Sequence, residues 1–452
     1  MHELAGLPLL GHVLATANSL GAAHVIPVVR HEKDAISAYI AQDFPTASIA
    51  EQDEIPGTGR AVECGIASLP DSFDGSIVVT SGDVPMLDTE TIQNMLKSHI
   101  AGGYAASVLT TFLDEPHGYG RILRSTDGEF LQIVEQKDAT EQQRAINEVN
   151  AGVYVFDAKL LRSALAKVGT HNAQGEKYLT DAAAELLHEG HKVQAVSIDD
   201  EWLVAGINDR AQLSEVAAEL NWRICRAWQL AGVTILDPGN TWIDVTVRIG
   251  QDAVILPGTY LQGNTLIGAG AQVGPECVLI DTEVGEGAKV IKTHSTQSRI
   301  GDGASVGPFS YLRPGTDLGA DGKIGTFVET KNAIIGAGSK VPHLSYVGDA
   351  EIGTNSNIGA GTIFANYDGV KKQRSVIGSE VRTGSHNVFV APITIGDGAY
   401  TAAGTVVRRN INPGDLGMNV APQKNIADWV LSKREGTAAA KAAQVAREAE
   451  TN

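Results

Sequence analysis

The chain has 452 residues, 43% hydrophobic and 19% charged, enough for about three domains at roughly 150 residues each. Its formal net charge of −18 argues against nucleic acid or an anionic membrane as partner, because either needs a broad basic face. Cys64, Cys225 and Cys277 follow no metal-ligand spacing and read as reduced thiols of a cytoplasmic protein. The apolar stretch 7–14 is too short and wrongly flanked for a signal peptide, and nothing else approaches a membrane span.

Residues 1–210 alternate strand and helix. Buried strands are expected at 24–29, 76–80, 106–111, 152–156 and 193–198. Helical spacing appears in Ile92, Met95, Leu96, His99 and Ile100, and again in Leu179, Ala183, Leu186 and Leu187. Such alternation predicts a mostly parallel α/β sheet with ligands at the carboxyl ends of its strands. Ser81-Gly82-Asp83 directly follows one of these strands, so Asp83 stands where a carboxylate can hold Mg²⁺ against phosphates. Gly57-Thr58-Gly59, with Gln52 upstream, offers backbone amides to a nucleotide base. A turn is the plainer reading of either motif alone.

A long amphipathic helix follows, with Leu213, Val216, Ala217, Leu220, Ile224 and Ala227 on one face, and reads as a stiff connector over 211–231. From Ile249 to Val407 apolar residues then return every sixth position. The ladder begins Ile249, Ile255, Leu261, Ile267, Val273, Leu279 and slips one place to Val284. It ends Ile377, Thr383, Phe389, Ile395, Thr401, Val407. A period of six fits neither helix nor plain strand, but suits three strand-and-turn units per coil of a parallel β-helix. Glycine follows the ladder residue at Gly250, Gly268, Gly307, Gly359 and Gly396, where it is expected to supply corner conformations. The β-helix is expected over 232–433. The tail 434–452 has no apolar face to bury and is expected to be disordered or a frayed helix.

The ladder breaks between Phe364 and Ile377, where an insertion carries Lys371, Lys372 and Arg374 in an otherwise acidic chain, a candidate anion contact. His343, beside ladder residue Val341, has Tyr346, Arg313 and Lys331 one or two coils away by repeat counting. Imidazole can take a proton near neutral pH, and Arg with Lys can clamp a sugar phosphate. A zinc site of the γ-carbonic-anhydrase kind would need three convergent histidines, and His294, His343 and His386 occur in unrelated contexts.

Five motifs occur in one order: Val-Thr-Ser-Gly-Asp-Val-Pro-Met-Leu (79–87), Gly-Tyr-Gly-Arg-Ile (118–122), Ile-Val-Glu-Gln-Lys-Asp-Ala-Thr (133–140), Glu-Val-Asn-Ala-Gly-Val-Tyr (148–154) and Gly-Ile-Asn-Asp-Arg (206–210). Leu-Arg-Pro-Gly (312–315), Phe-Val-Glu-Thr-Lys (327–331), His-Leu-Ser-Tyr (343–346) and Asn-Ile-Gly-Ala-Gly-Thr (357–362) follow. Together they resemble the family of bifunctional N-acetylglucosamine-1-phosphate uridyltransferases/glucosamine-1-phosphate N-acetyltransferases.

The resemblance implies a Rossmann-like nucleotidyltransferase domain and a left-handed β-helix of hexapeptide repeats. It implies UTP and acetyl-CoA as co-substrates, a homotrimer, and synthesis of UDP-N-acetylglucosamine for the cell envelope. Carried over by motif, Gln52, Gly57, Thr58, Ser81, Asp83, Gly120, Glu135, Asn150 and Asn208 would bind the uridine nucleotide and its sugar phosphate, and Asp83 and Asn208 would hold Mg²⁺. His343 would be the general base, with Arg313, Lys331, Tyr346 and Asn357 on glucosamine 1-phosphate. Ala360, Asn366, Tyr367, Ser385 and Ala403 would line the acetyl-CoA groove.

Two departures stand out. The family's Leu-x-x-Gly-x-Gly-Thr-Arg-Met loop and following lysine are absent from this sequence, which begins Met1-His2-Glu3-Leu4. The expectation is weakened uridyl transfer, with acetyl transfer alone as the alternative reading. Val420 also stands where many members carry a CoA-contacting arginine; Lys424 or Arg408 would have to substitute.

Overall fold

The computed structural model describes residues 1–170, 172–419 and 423–451, so Val420 lies outside the described residues. The chain divides into two compact units, 1–287 and 288–452.

In the first unit, strands Ser76–Val79, Ala106–Phe112 and Val193–Ile198 run in a common direction. Val193–Ile198 pairs parallel with Ala106–Phe112. The long strand Glu148–Asp157 lies between Ser76–Val79 and Ala106–Phe112 and is antiparallel to both. A hairpin, Arg121–Arg124 with Phe130–Val134, adds at its edge. The parallel set read from the sequence is thus interleaved with one reversed strand. Its near-continuous apolar run, buried on both faces, looks the same in either direction.

Of the stretch 24–29, only Val28–Val29 is a strand. Val25 and Pro27 still accept from Ser48 and Ala50, so the backbone is extended there, but Pro27 has no N–H to give a ladder. Helices Thr89–Gly102, Ala158–Lys167 and Leu179–His188 cover the sheet. They bury Met95, Leu161 and Leu186 among Val108, Leu109 and Phe156.

The helix Arg210–Leu230 starts on Asp209, whose carboxylate accepts from the amides of Ala211 and Gln212. Leu213, Val216 and Leu220 pack with Leu4, Met86 and Ile207. The next residue, buried Asn221, donates to Thr241 O at 2.7 Å and accepts from Ile243 N at 3.1 Å. The helix is therefore docked through its first half as well as joining the segments on either side of it. The unit closes with the first coils, in which Ile249 pairs with Ile267, Ile255 with Val273 and Leu261 with Leu279.

The second unit continues the same construction. Ile300 pairs with Leu318, Val306 with Ile324, Ile335 with Ile352, Phe364 with Phe389 and Ile377 with Ile395. These ladder residues are all buried, stacking coil on coil about 4.8 Å apart. The apparent gap between Ile324 and Ile335 is filled by Thr330, which sits between Leu312 and Val347 and bonds Thr316 at 2.9 Å.

Most ladder glycines have a different cause from the one expected. A Cβ on Gly250 would lie 2.6 Å from Ala269 N, and one on Gly359 only 2.2 Å from Gly384 O, so the next coil's backbone excludes a side chain. Left-handed corners are instead taken by residues such as Asp321, Phe327, Asn332, Leu344 and Asp349. In the tail, a helix runs Ala438–Thr451, and Arg447 pairs with Asp428. Among the described residues no helix is long and apolar enough to cross a membrane.

Candidate functional site

Two groups of candidate residues emerge, one in each unit. In the first, Asp83 lies just past strand Ser76–Val79. Its carbonyl accepts from Ile207 N at 3.1 Å, which sets the segment 206–208 alongside it. Burial pushes the Asp83 carboxyl above its ordinary range. Asn208 follows Ile207 and is exposed; its amide nitrogen donates to Gln212. No hydrogen bond joins the side chains of Asn208 and Asp83 among the described residues.

Gly120, Glu135 and Asn150 meet. A Cβ on Gly120 would stand 3.4 Å from Glu135 Oε2 and 3.6 Å from Asn150 Cβ, and Asn150 N donates to Gly120 O at 2.9 Å. Asn150 is turned by Tyr154, whose hydroxyl accepts from its Nδ2 at 2.7 Å. Ser81 comes to the same place, its hydroxyl 3.7 Å from where a Cβ on Gly152 would sit. Burial raises the pKa of Glu135, and Thr180 Oγ1 opposes that by donating to Glu135 Oε1 at 3.2 Å.

The loop with Gln52, Gly57 and Thr58 is joined to this pocket through one segment. Gln52 Nε2 spans the loop, donating to Ile55 O and Gly57 O at 2.9 and 3.2 Å. Thr58 Oγ1 accepts from Leu179 N at 3.1 Å, and Gly59 N donates to Lys177 O at 2.8 Å. Lys177 also pairs with Glu63, which pairs with Arg60, which pairs with Asp53. Sequence reading missed Lys177 and Thr180. Their only local signal was the polar run Gln174–Lys177 ahead of a helix, which reads as a plain loop.

In the second unit the functional residues fall on separate lines of the coils. Lys340, Asn357, Arg382 and Tyr400 are successive partners. Three residues further along each coil, His343, Ala360, Ser385 and Ala403 therefore form one file. The bonds Gly361 N to His343 O (3.1 Å), His386 N to Ala360 O (2.7 Å) and Gly404 N to Ser385 O (2.8 Å) run along it. His343 is exposed on this corner.

The next face leads to the corner of Arg313 and Lys331, which follow the paired residues Leu312 and Thr330. Arg313 bonds Glu329 at 2.9 Å. The Lys372 ammonium, brought in by the insertion, and the nearby Arg313 charge both lower the pKa of Lys331. Crowded like charges of this kind fit a dianion. Asn366, 8% exposed, stands 3.4 Å from the Tyr346 hydroxyl, while Tyr367 is exposed. Asn357 is not brought to this corner. It lies level with Lys340, at the start of strand Lys340–His343, in a cavity of about 420 Å³ lined by Lys340, Asn355, Glu380 and Arg382.

The chain thus combines an α/β unit that carries a carboxylate beyond a strand end with a β-helix that carries an exposed histidine on one corner and a cation cluster on another, an arrangement suited to a two-site transferase. The nucleotidyl transferase family profile matches residues 3–245. Proteins named "Bifunctional protein GlmU" match nearly the whole chain. The one from Clavibacter sepedonicus is 58% identical over 98% of this chain and 90% of its own length. That from Kineococcus radiotolerans is 54% identical over 100% and 92%, and that from Mycolicibacterium smegmatis 55% over 99% and 93%. The chain belongs to the GlmU family, whose β-helix is left-handed. Membership gives it both activities of UDP-N-acetylglucosamine synthesis, and nothing found favours the acetyltransferase-only alternative. A solved 4-diphosphocytidyl-2C-methyl-D-erythritol synthase from Anaerococcus prevotii aligns at 15% identity with a TM-score of 0.36, covering 48% of this chain and 91% of that one; an overlap this slight carries no argument.

Proposed function

We propose that the two residue groups are the two active sites, and that catalysis divides as 1–210 for uridyl transfer, 211–231 as helix, and 232–433 for acetyl transfer, with 434–452 as a tail. The observation that carries the acetyl site is the gathering of three cations, Arg313, Lys331 and Lys372, in a chain of net charge −18, with Glu329 bonded to Arg313. A phosphate monoester supplies the missing charge. Arg313, Lys331 and Tyr346 bind glucosamine 1-phosphate, and the imidazole of His343 takes a proton from its amine. The freed lone pair attacks the thioester carbonyl of acetyl-CoA, which lies along Ala360, Ser385 and Ala403 with Asn366 and Tyr367 at the insertion. The C–S bond breaks and CoA leaves as the thiolate.

Asn357 lies on a different line of the coils from Arg313, so a site that uses both takes Asn357 from a second copy. That favours a homotrimer with the site between subunits. In the first unit, Gln52, Gly57 and Thr58 hold the uridine nucleotide, and Ser81, Gly120, Glu135 and Asn150 orient the sugar phosphate. Its phosphate oxygen attacks the α-phosphorus of UTP and pyrophosphate leaves. Asp83 is a half-buried carboxylate with no cation paired to it among the described residues, which suits Mg²⁺, with the side-chain oxygen of Asn208 as second ligand. Bound Mg²⁺ neutralises triphosphate charge. Three free thiols and the lack of a long apolar helix among the described residues favour the cytoplasm.

Kinetics test the acetyl reading. His343→Ala should lower kcat for acetyl transfer about 10²–10⁴-fold with little change in KM, while Lys331→Ala raises KM for glucosamine 1-phosphate. Acetyl transfer by His343→Ala within about threefold of the parent sinks it.

A further inference from the structure

The insertion between Phe364 and Ile377 is tied to the coil at its base. Asn366 is its first residue, immediately after Ala365, which pairs with Val390. Its carbonyl accepts from Gln373 N at 2.8 Å, which closes the base of the insertion. Its side-chain nitrogen donates to Asp349 Oδ2 at 2.5 Å, and Asp349 Oδ1 accepts from Asn332 Nδ2 at 2.8 Å. Asp349 thus grips two amides from the neighbouring coils with its two oxygens. Its backbone is left-handed, φ 48°, a conformation Asp and Asn enter more readily than other side chains.

The packing leaves little slack. A Cβ on Gly348 would stand 2.3 Å from the Tyr346 hydroxyl and 2.7 Å from Asn366 Nδ2, so tyrosine, asparagine and the glycine backbone are pressed together. The Asp349 charge also reaches Lys331, where it opposes the lowering by Lys372 and Arg313.

We infer that Asp349 is a positioning residue for acetyl transfer: its carboxylate pins Asn366, at the base of the insertion, beside Tyr346. A carboxylate suits this role better than a neutral acceptor because a charge-assisted hydrogen bond is shorter and about twice as strong. The inference rests on the reading of this corner as the substrate site.

The test uses the full chain and measures both KM values, kcat and Tm. Asparagine at 349 keeps the backbone conformation and an acceptor for Asn332, but turns an amide toward Asn366. Asp349→Asn should raise KM for acetyl-CoA about tenfold, while KM for glucosamine 1-phosphate stays level or falls, because a negative charge has left the cation corner. A merely structural role would raise both KM values together and lower Tm, and that result overturns the inference, as does an acetyl-CoA KM within twofold of the parent.

A cycle with Asn366→Ala checks the route. If Asp349 acts through Asn366, the double variant matches Asn366→Ala alone; additive effects overturn the inference. Arg313→Ala serves as the separate control. An unmoved KM for glucosamine 1-phosphate there would refute the site reading itself, whatever the Asp349 variants do.

Discussion

Gly57 and Lys177 meet backbone to backbone. Gly57 has φ 115°, and a Cβ on it would lie 2.3 Å from Lys177 O and 2.6 Å from Lys177 N. Both the conformation and the space are therefore closed to any other residue. Since Lys177 N bonds Pro56 O and Leu179 N bonds Thr58, the segment 177–179 is the template on which the loop proposed to hold the uridine nucleotide is shaped. Gly57→Ala should force the loop off this template. The expected outcome is at least a tenfold rise in KM for UTP with acetyl transfer unchanged, read by pyrophosphate release beside CoA release. Unaltered UTP kinetics would show that the loop does not hold the nucleotide.

Asp83 predicts a pH dependence for metal binding. Burial raises its pKa above 3.8, so the folded carboxyl keeps its proton to higher pH than an exposed one. Ionisation is needed to bind Mg²⁺, so affinity should fall as pH drops through that raised value, and binding should release a proton. Calorimetric titration with Mg²⁺ in two buffers of different ionisation heat measures the release. Asp83→Asn should abolish it; a release that persists in the variant would assign the metal elsewhere.

Buried His99, 3% exposed, ties the helix Thr89–Gly102 to the sheet through Ser107 at 2.9 Å, and Gln194 donates to the same hydroxyl at 2.8 Å. Burial lowers its pKa below 6.5, with the Asp157 charge opposing. The unfolded chain therefore takes up this proton first as pH falls. The contribution of neutral His99 is intact above about pH 6.5 and is lost as pH falls toward the folded value. His12, also lowered by burial, has the same sign. His99→Gln should flatten the decline of Tm between about pH 7 and 5 without removing it. An unchanged slope would clear His99 of the acid sensitivity.

The ladder was legible because its signal is one aliphatic per strand, repeated over many coils: Ile255, Val273, Ile324 and Val341 announce themselves. Thr330 and Ser295 did not, although both are fully buried rungs, because a hydroxyl satisfied inside the coil looks polar in sequence. His343 and Lys331 could be placed by counting repeats. Their relation to Asn357 could not, since which face a residue occupies depends on corners whose lengths vary, as the slip at Val284 shows. Lys177 and Asp349 were invisible for another reason. Each acts through partners far off in the chain, Lys177 through Gly57 and Glu63, Asp349 through Asn332 and Asn366, and no local spacing encodes such pairs.

Thr330 gives the last prediction, because it joins the core to the substrate corner. Its hydroxyl and that of Thr316 are 2.9 Å apart, and Thr316 in turn donates to Arg313 O at 2.8 Å. With the Thr316 proton committed to Arg313, Thr330 is the donor to Thr316. Thr330→Val keeps the shape and removes that donor, leaving one acceptor lone pair on Thr316 unfilled while the bond to Arg313 survives. The loss of one neutral hydrogen bond is about 1 kcal/mol, partly recovered by the buried methyl. Thr316→Val should cost more, about 1–3 kcal/mol, since it strands the buried Thr330 hydroxyl and leaves the Arg313 carbonyl with the longer contact from Ser298 Oγ at 3.3 Å. Denaturant unfolding ranks the two, and KM for glucosamine 1-phosphate should rise only in Thr316→Val. If Thr330→Val proves the more damaging in both measurements, the donor order along this chain is reversed and Arg313 is held by something other than Thr316.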